Sequence, residues 1–199
     1  MDNQQGQALG KLATTLIAAC AGLLGVALGG AITMWSQITE RRQARVRDKL
    51  DKFYSPLLAI RMQIKAKSEV RQKVHRTANS EWQSLLAGVD SPEAKARIDA
   101  ERSPAYTAIY KYSAEQVIND LVPLYKQMVE IFTSNMQFAE EPTRKYFGTL
   151  VEFVELWNRQ LLQAMPPEVV VALNQDEKQL YPFYDDLETQ FKKLRKQLG

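Results

Sequence analysis

Apolar residues are spaced in two different ways along this chain. Between Lys11 and Glu40 no residue is charged, and Leu12 to Trp35 supplies 24 mostly apolar positions in a row. At 1.5 Å per helical residue that run is roughly 36 Å long, enough to cross a ~30 Å hydrocarbon core with some tilt. After it the pattern becomes periodic. Val46, Leu50, Phe53, Leu57, Ile60 and Ile64 follow steps of four and three, the seam of one helix packing along another. The same spacing returns in Leu180, Tyr184, Leu187, Phe191, Leu194 and Leu198.

Between these two seams the pattern predicts further helices. One ends near Leu86, where Gly88 and Pro92 in "AGVDSPE" provide a break. Residues 90–112 read as a short helix and a tyrosine-rich loop. Ser113 is then expected to cap a long helix with two adjacent stripes, one through Leu121, Leu124 and Met128, the other through Ile118, Val122, Tyr125 and Phe132. So broad a face implies packing on several sides. Phe147, Leu150, Val154, Trp157 and Leu161 make another stripe, ending before Pro166 and Pro167. "PEVVVAL" gives a brief helical turn, and Asn174 with Glu177 three residues on forms a capping-box pattern. No stretch sustains period-two alternation with turn signals.

The fold class expected is therefore all-α: a single N-terminal transmembrane helix followed by a cytoplasmic antiparallel helical bundle with kinked amphipathic helices. The domains are a polar tail (1–11), the membrane helix (12–35), a basic juxtamembrane helix (36–54) and the bundle (55–199). Pro56 and Pro123 lie inside apolar stripes, where proline removes a hydrogen bond and crowds the preceding turn. At Ser55-Pro56 the pattern fits either a kink or a new helix starting from a Ser cap. "FYSPLLAIRMQI", "DLVPLYKQMVEI" and "QLYPFYDDLETQF" repeat this proline-in-a-stripe theme, a faint internal echo.

Charge changes the picture at one place. Residues 36–80 hold 12 Lys/Arg against 4 Asp/Glu, whereas residues 81–199 hold 13 against 18. Arg41, Arg42, Arg45, Arg47, Lys49 and Lys52 crowd the end of the uncharged run. Cationic flanks resist translocation, so the amino terminus is expected outside and the bundle in the cytosol. These six cations are also candidates for contact with anionic lipid headgroups. The compact single-anchor layout fits a bacterial inner (plasma) membrane. A cleaved secretion signal would carry its charge ahead of a shorter core. "IAAC" resembles a lipoprotein box, but fifteen largely apolar residues follow Cys20. Within the run, Ala21, Gly25, Gly29 and Thr33 form a stripe of small residues, the pattern through which membrane helices associate.

The chemistry-bearing inventory is thin. The one cysteine, Cys20, falls inside the apolar run, and there is no glycine-rich phosphate loop. The one histidine, His75, stands in a basic stretch and reads as a solvated surface residue. Glu152 and Glu155 have no histidine in register, and Asp185, Asp186 and Glu188 read as a solvated acidic face. "KKLRK" (192–196) suits the carbonyl end of its own helix. No catalytic, cofactor or metal residues are expected, and neither nucleic acid nor a small-molecule substrate. The partners expected are membrane lipid and either a second copy or another membrane protein. Three functions remain: an anchored interaction or regulatory module, a membrane-perturbing effector with oligomerising transmembrane helices, and a small enzyme. The first accounts for the segregated charge and the long amphipathic stripes.

Overall fold

The computed structural model describes residues 34–174 and 176–198. They contain helices and no strand, a bundle-like all-helical arrangement. Among them no helix is long and apolar enough to cross a membrane. The predicted membrane helix (12–35), with Cys20, Ala21, Gly25, Gly29 and Thr33, lies outside the described residues except for Met34 and Trp35. The chain divides into two compact units, one ending at Arg47 and one starting at Asp48. In the first, residues 34–47 are helical.

The second unit opens with a π-helical turn, Leu50–Tyr54, leading directly into α1 (Ser55–Leu86). Of the two readings at Pro56, a kink or a fresh Ser-capped start, the Ser cap does not form: the helix continues through Ser55 by way of the π turn. Ser55 is right-handed helical, and its N–H bonds the carbonyl of Leu50, five residues back. The physical reason is that proline cannot donate and its ring crowds the carbonyl four residues before it. A wider turn makes room for that carbonyl without ending the helix.

The helix α2 (Pro92–Gln116) begins at a Ser91 cap and runs through Pro104 and the tyrosines. The expected loop within 90–112 is therefore helix, and Ser113 is buried mid-helix instead of capping one. The turn between α1 and α2 uses Gly88 at φ +81°, a backbone that glycine adopts without strain. A second π turn, Val117–Leu121, precedes α3 (Val122–Ser134) and Pro123. It inserts an extra residue, which turns the preceding positions away from the α3 stripe. That is why Ile118 is exposed while Val122, Tyr125, Met128 and Phe132 are buried. There follow α4 (Glu141–Arg144), α5 (Phe147–Leu161), α6 (Pro167–Leu173) and α7 (Tyr181–Lys196).

The capping box proposed for Asn174 and Glu177 does not form. Asn174 takes a left-handed conformation, and Asp176 caps a short 3-10 turn, Glu177–Leu180, through the N–H of Lys178. That turn separates the third proline motif from the first two, so only two of the three echoes share a π turn.

The core joins Phe53, Leu57, Ile60 and Ile64 to the inner faces of α3, α5 and α7. Phe132 meets Phe53 at 5.0 Å between ring centroids and Phe183 at 5.9 Å. Both periodic seams of the second unit point inward, with Leu50 and Leu180 buried. Burying each such side chain contributes on the order of 1.5–3 kcal/mol.

Candidate functional site

Three places in the second unit gather polar or unpartnered groups. The first is a buried chain of hydrogen bonds. The amide of Glu140 donates to the Tyr54 hydroxyl at 2.9 Å. Thr143 donates to Asp186 at 2.6 Å, so its hydroxyl accepts from Tyr54, 3.0 Å away. Gln190 reaches the other oxygen of Asp186 at 3.3 Å. Burial raises the Tyr54 pKa above its ordinary value, with the nearby carboxylates adding to the effect and its two hydrogen bonds opposing it. Asp186 is thus not a solvated acid but the end of an internal chain linking the first π turn, α4 and α7.

The second is a cleft of about 390 Å³ between α1 and the start of α7, lined by Arg61, Lys65, Gln72, Glu177 and Tyr184 among others. Arg61 pairs with Glu188 and stands 4.8 Å over the Tyr184 ring. Its hydrogen bond and charge hold the Glu188 carboxyl below its ordinary pKa, while the Glu188 side chain stays 45% exposed, as expected of a solvated face. Tyr125 donates to Glu177 at 2.7 Å. The buried Tyr184 hydroxyl lies beside Tyr125 without a hydrogen bond of ordinary geometry. Burial, then the neighbouring phenol and the Glu177 carboxylate, push Tyr125 strongly up; burial and Glu177 do the same to Tyr184. Both phenols therefore stay protonated at neutral pH and act there as hydrogen-bonding groups, not as bases.

The third is the arm formed by α1 beyond Ile64 and α2. Its helices are joined by polar and aromatic rungs. Lys67 pairs with Asp120 at 2.6 Å, His75 Nε2 meets the Ser113 hydroxyl at 2.7 Å, and Tyr110 donates to Asn79 at 2.6 Å. Trp82 and Tyr106 meet edge to face at 4.9 Å. As the α1 number rises from 67 to 82 its partner's number falls from 120, in the second π turn, to 106 in α2, so the two helices run antiparallel in constant register. His75, expected in solvent, is half-buried in this ladder and packs against Tyr110 at 5.0 Å.

No known protein family, curated protein or solved structure matches this chain.

Only two buried residues, Ala78 and Ser113, belong to the arm. The substantial contacts of α2 are with α1 and the π turn that follows it. One side of the arm is a continuous apolar groove in which Val70, Val74 and Ile109 line both halves. Val70 is 62% and Tyr112 66% exposed. The sequence pattern does not show this surface, because residues 90–112 read as partly loop where the structure has helix.

The six predicted lipid-contact cations are placed differently from one another. Arg41, Arg42, Arg45 and Arg47 are exposed in the first unit and make no ion pair with another described residue. In the second unit Lys49 pairs with Glu140 at 2.7 Å, while Lys52 pairs with Asp48 at 2.8 Å and lies 5.1 Å from the Phe138 ring. Among the described residues no group of His, Cys, Asp and Glu could hold a metal ion.

Proposed function

We propose that this protein is a single-pass, membrane-anchored helical interaction or regulatory module that works through protein–protein contacts and not through catalysis. Residues 12–35 cross the inner (plasma) membrane, with the amino terminus outside and the helical bundle at the cytoplasmic face. Arg41, Arg42, Arg45 and Arg47 lie against anionic headgroups, each contributing about 1 kcal/mol near the surface. The small-residue stripe of Ala21, Gly25, Gly29 and Thr33 offers a helix-association face inside the bilayer.

The observation that carries the reading is the arm: a long antiparallel hairpin whose apolar groove has no described neighbour. Large apolar grooves left open to water mark interaction sites. The buried Tyr125 and Tyr184 remain protonated, and the hydroxyls of Tyr54 and Thr143 are committed to internal bonds. That leaves little with which to move a proton or attack a substrate.

Fractionation of cells expressing the full chain provides the test. The protein is expected to stay with membranes through alkaline carbonate washing, and its bundle to resist protease added outside intact cells. Release into the wash, or digestion from outside, would overturn the anchored cytoplasmic arrangement. Prompt depolarisation on induced expression would instead favour a membrane-perturbing effector.

A further inference from the structure

We infer that the groove of the α1–α2 arm is the docking site for a second copy of the same arm, packed antiparallel about a two-fold axis near Thr77. This rests on the interaction-module reading but not on where the membrane lies.

The argument begins with Lys73 and Glu81. Both line the groove with Val70, Val74, Thr77 and Ala78, and both are exposed. Neither has an ion-pair partner among the described residues. Eight residues of helix separate them by about 12 Å, too far to pair with each other. Glu69, one turn before Lys73, is taken by Lys65 at 3.9 Å. A lysine and a glutamate therefore stand unpaired on the same face, equally spaced about Thr77.

That spacing is self-complementary. In a two-fold contact one surface meets its own copy. With antiparallel α1 helices crossing at Thr77, each Lys73 reaches the level of Glu81 in the other copy, and the pairing occurs twice. Parallel packing would set Lys73 against Lys73 and Glu81 against Glu81. Thr77 and Ala78 are small, so the axes can approach to the 8–10 Å of ordinary helix packing. Val70, Val74 and Tyr112 then leave water. Two hairpins joined in this way make a four-helix bundle, the arrangement that gives each helix an inner face. Neither hairpin achieves this alone, since its own rungs occupy a single seam.

The test uses the full chain in detergent micelles, with Cys20→Ser to remove the native thiol. Lys73→Cys and Glu81→Cys proteins are mixed and oxidised. The 73–81 disulfide between chains is expected, with little 73–73 or 81–81 product. In parallel, sedimentation measures self-association of charge variants. Lys73→Glu or Glu81→Lys alone is expected to weaken the dimer by about tenfold or more, because two attractive contacts become two repulsive ones. The double variant Lys73→Glu/Glu81→Lys should recover most of that loss. Both positions are exposed, and circular dichroism checks that the helices persist. A double variant no better than the single ones, a predominant 73–73 disulfide, or failure of the 73–81 bond to form would each overturn the proposal and leave the groove to a different chain. Membrane fractionation of the same variants reads the anchor separately, so either idea can fail without the other.

Discussion

Thr143 has a single hydroxyl proton, and Asp186 holds it. The residue is fully buried, and it joins an acid on α7 to a phenol on the first π turn. Replacing it by valine keeps the shape, leaves the Tyr54 hydroxyl without its acceptor and strips a donor from Asp186. Such losses cost about 1–3 kcal/mol. Thr143→Val is expected to lose that much stability in urea denaturation. Combined with Tyr54→Phe it should lose less than the two single effects added together, because the two share one bond. Simple additivity would mean that the chain of hydroxyls is not a unit. None of this was legible in "EEPTRKY", which reads as punctuation between helices. Hydrophobic period finds apolar faces, and it carries no signal for a buried threonine whose partners lie 43 and 89 residues away.

At the scale of elements, the arm and the core differ in what holds them. From Leu121 to Phe132 α3 and its preceding turn bury five large side chains, whereas the arm has rungs and a single seam. Segments with few buried contacts open at lower free energy. In monomeric protein, amides of residues 66–112 are therefore expected to exchange with deuterium at least about tenfold faster than those of 121–132. Equal protection would show that the arm is held by something beyond its rungs. Pro104 sits inside α2 and faces solvent, and an interior proline costs a helix about 3 kcal/mol relative to alanine. Pro104→Ala should slow exchange across α2 and leave the core unchanged. Faster exchange there would mean that Pro104 helps to hold α2 against α1. The α1 and α7 seams were readable because one helix face meets one core. The π turns were not, because a five-residue bond is a local response to proline combined with packing. Sequence alone marks the proline and not how the turn absorbs it.

For the molecule as a whole, the buried phenols set a limit at alkaline pH. Tyr54, Tyr125 and Tyr184 all have pKa values raised from the ordinary 10.0, chiefly by burial. Above about pH 10 the unfolded chain releases these protons while the folded chain keeps them. Stability is thus complete below that pH and falls as pH rises toward the folded values, by up to about 1.4 kcal/mol per pH unit for each phenol. Stability measured from pH 9 to 11.5 should decline steeply, and Tyr125→Phe/Tyr184→Phe should make the decline shallower. An unchanged slope would show that these two phenols ionise as easily folded as unfolded.

The sequence by itself determined the helical class, the two seams around which the core forms, the uncharged run and the basic cluster after it. Those properties follow from residues near one another in the chain, where helical period and charge segregation act directly. Only the tertiary structure decided which polar residues share a buried bond, which cations are already paired, and that α1 and α2 form an arm with one side uncovered. These depend on contacts between residues dozens of positions apart. Their free energy comes from desolvation and hydrogen-bond geometry, which exist only once the helices are packed.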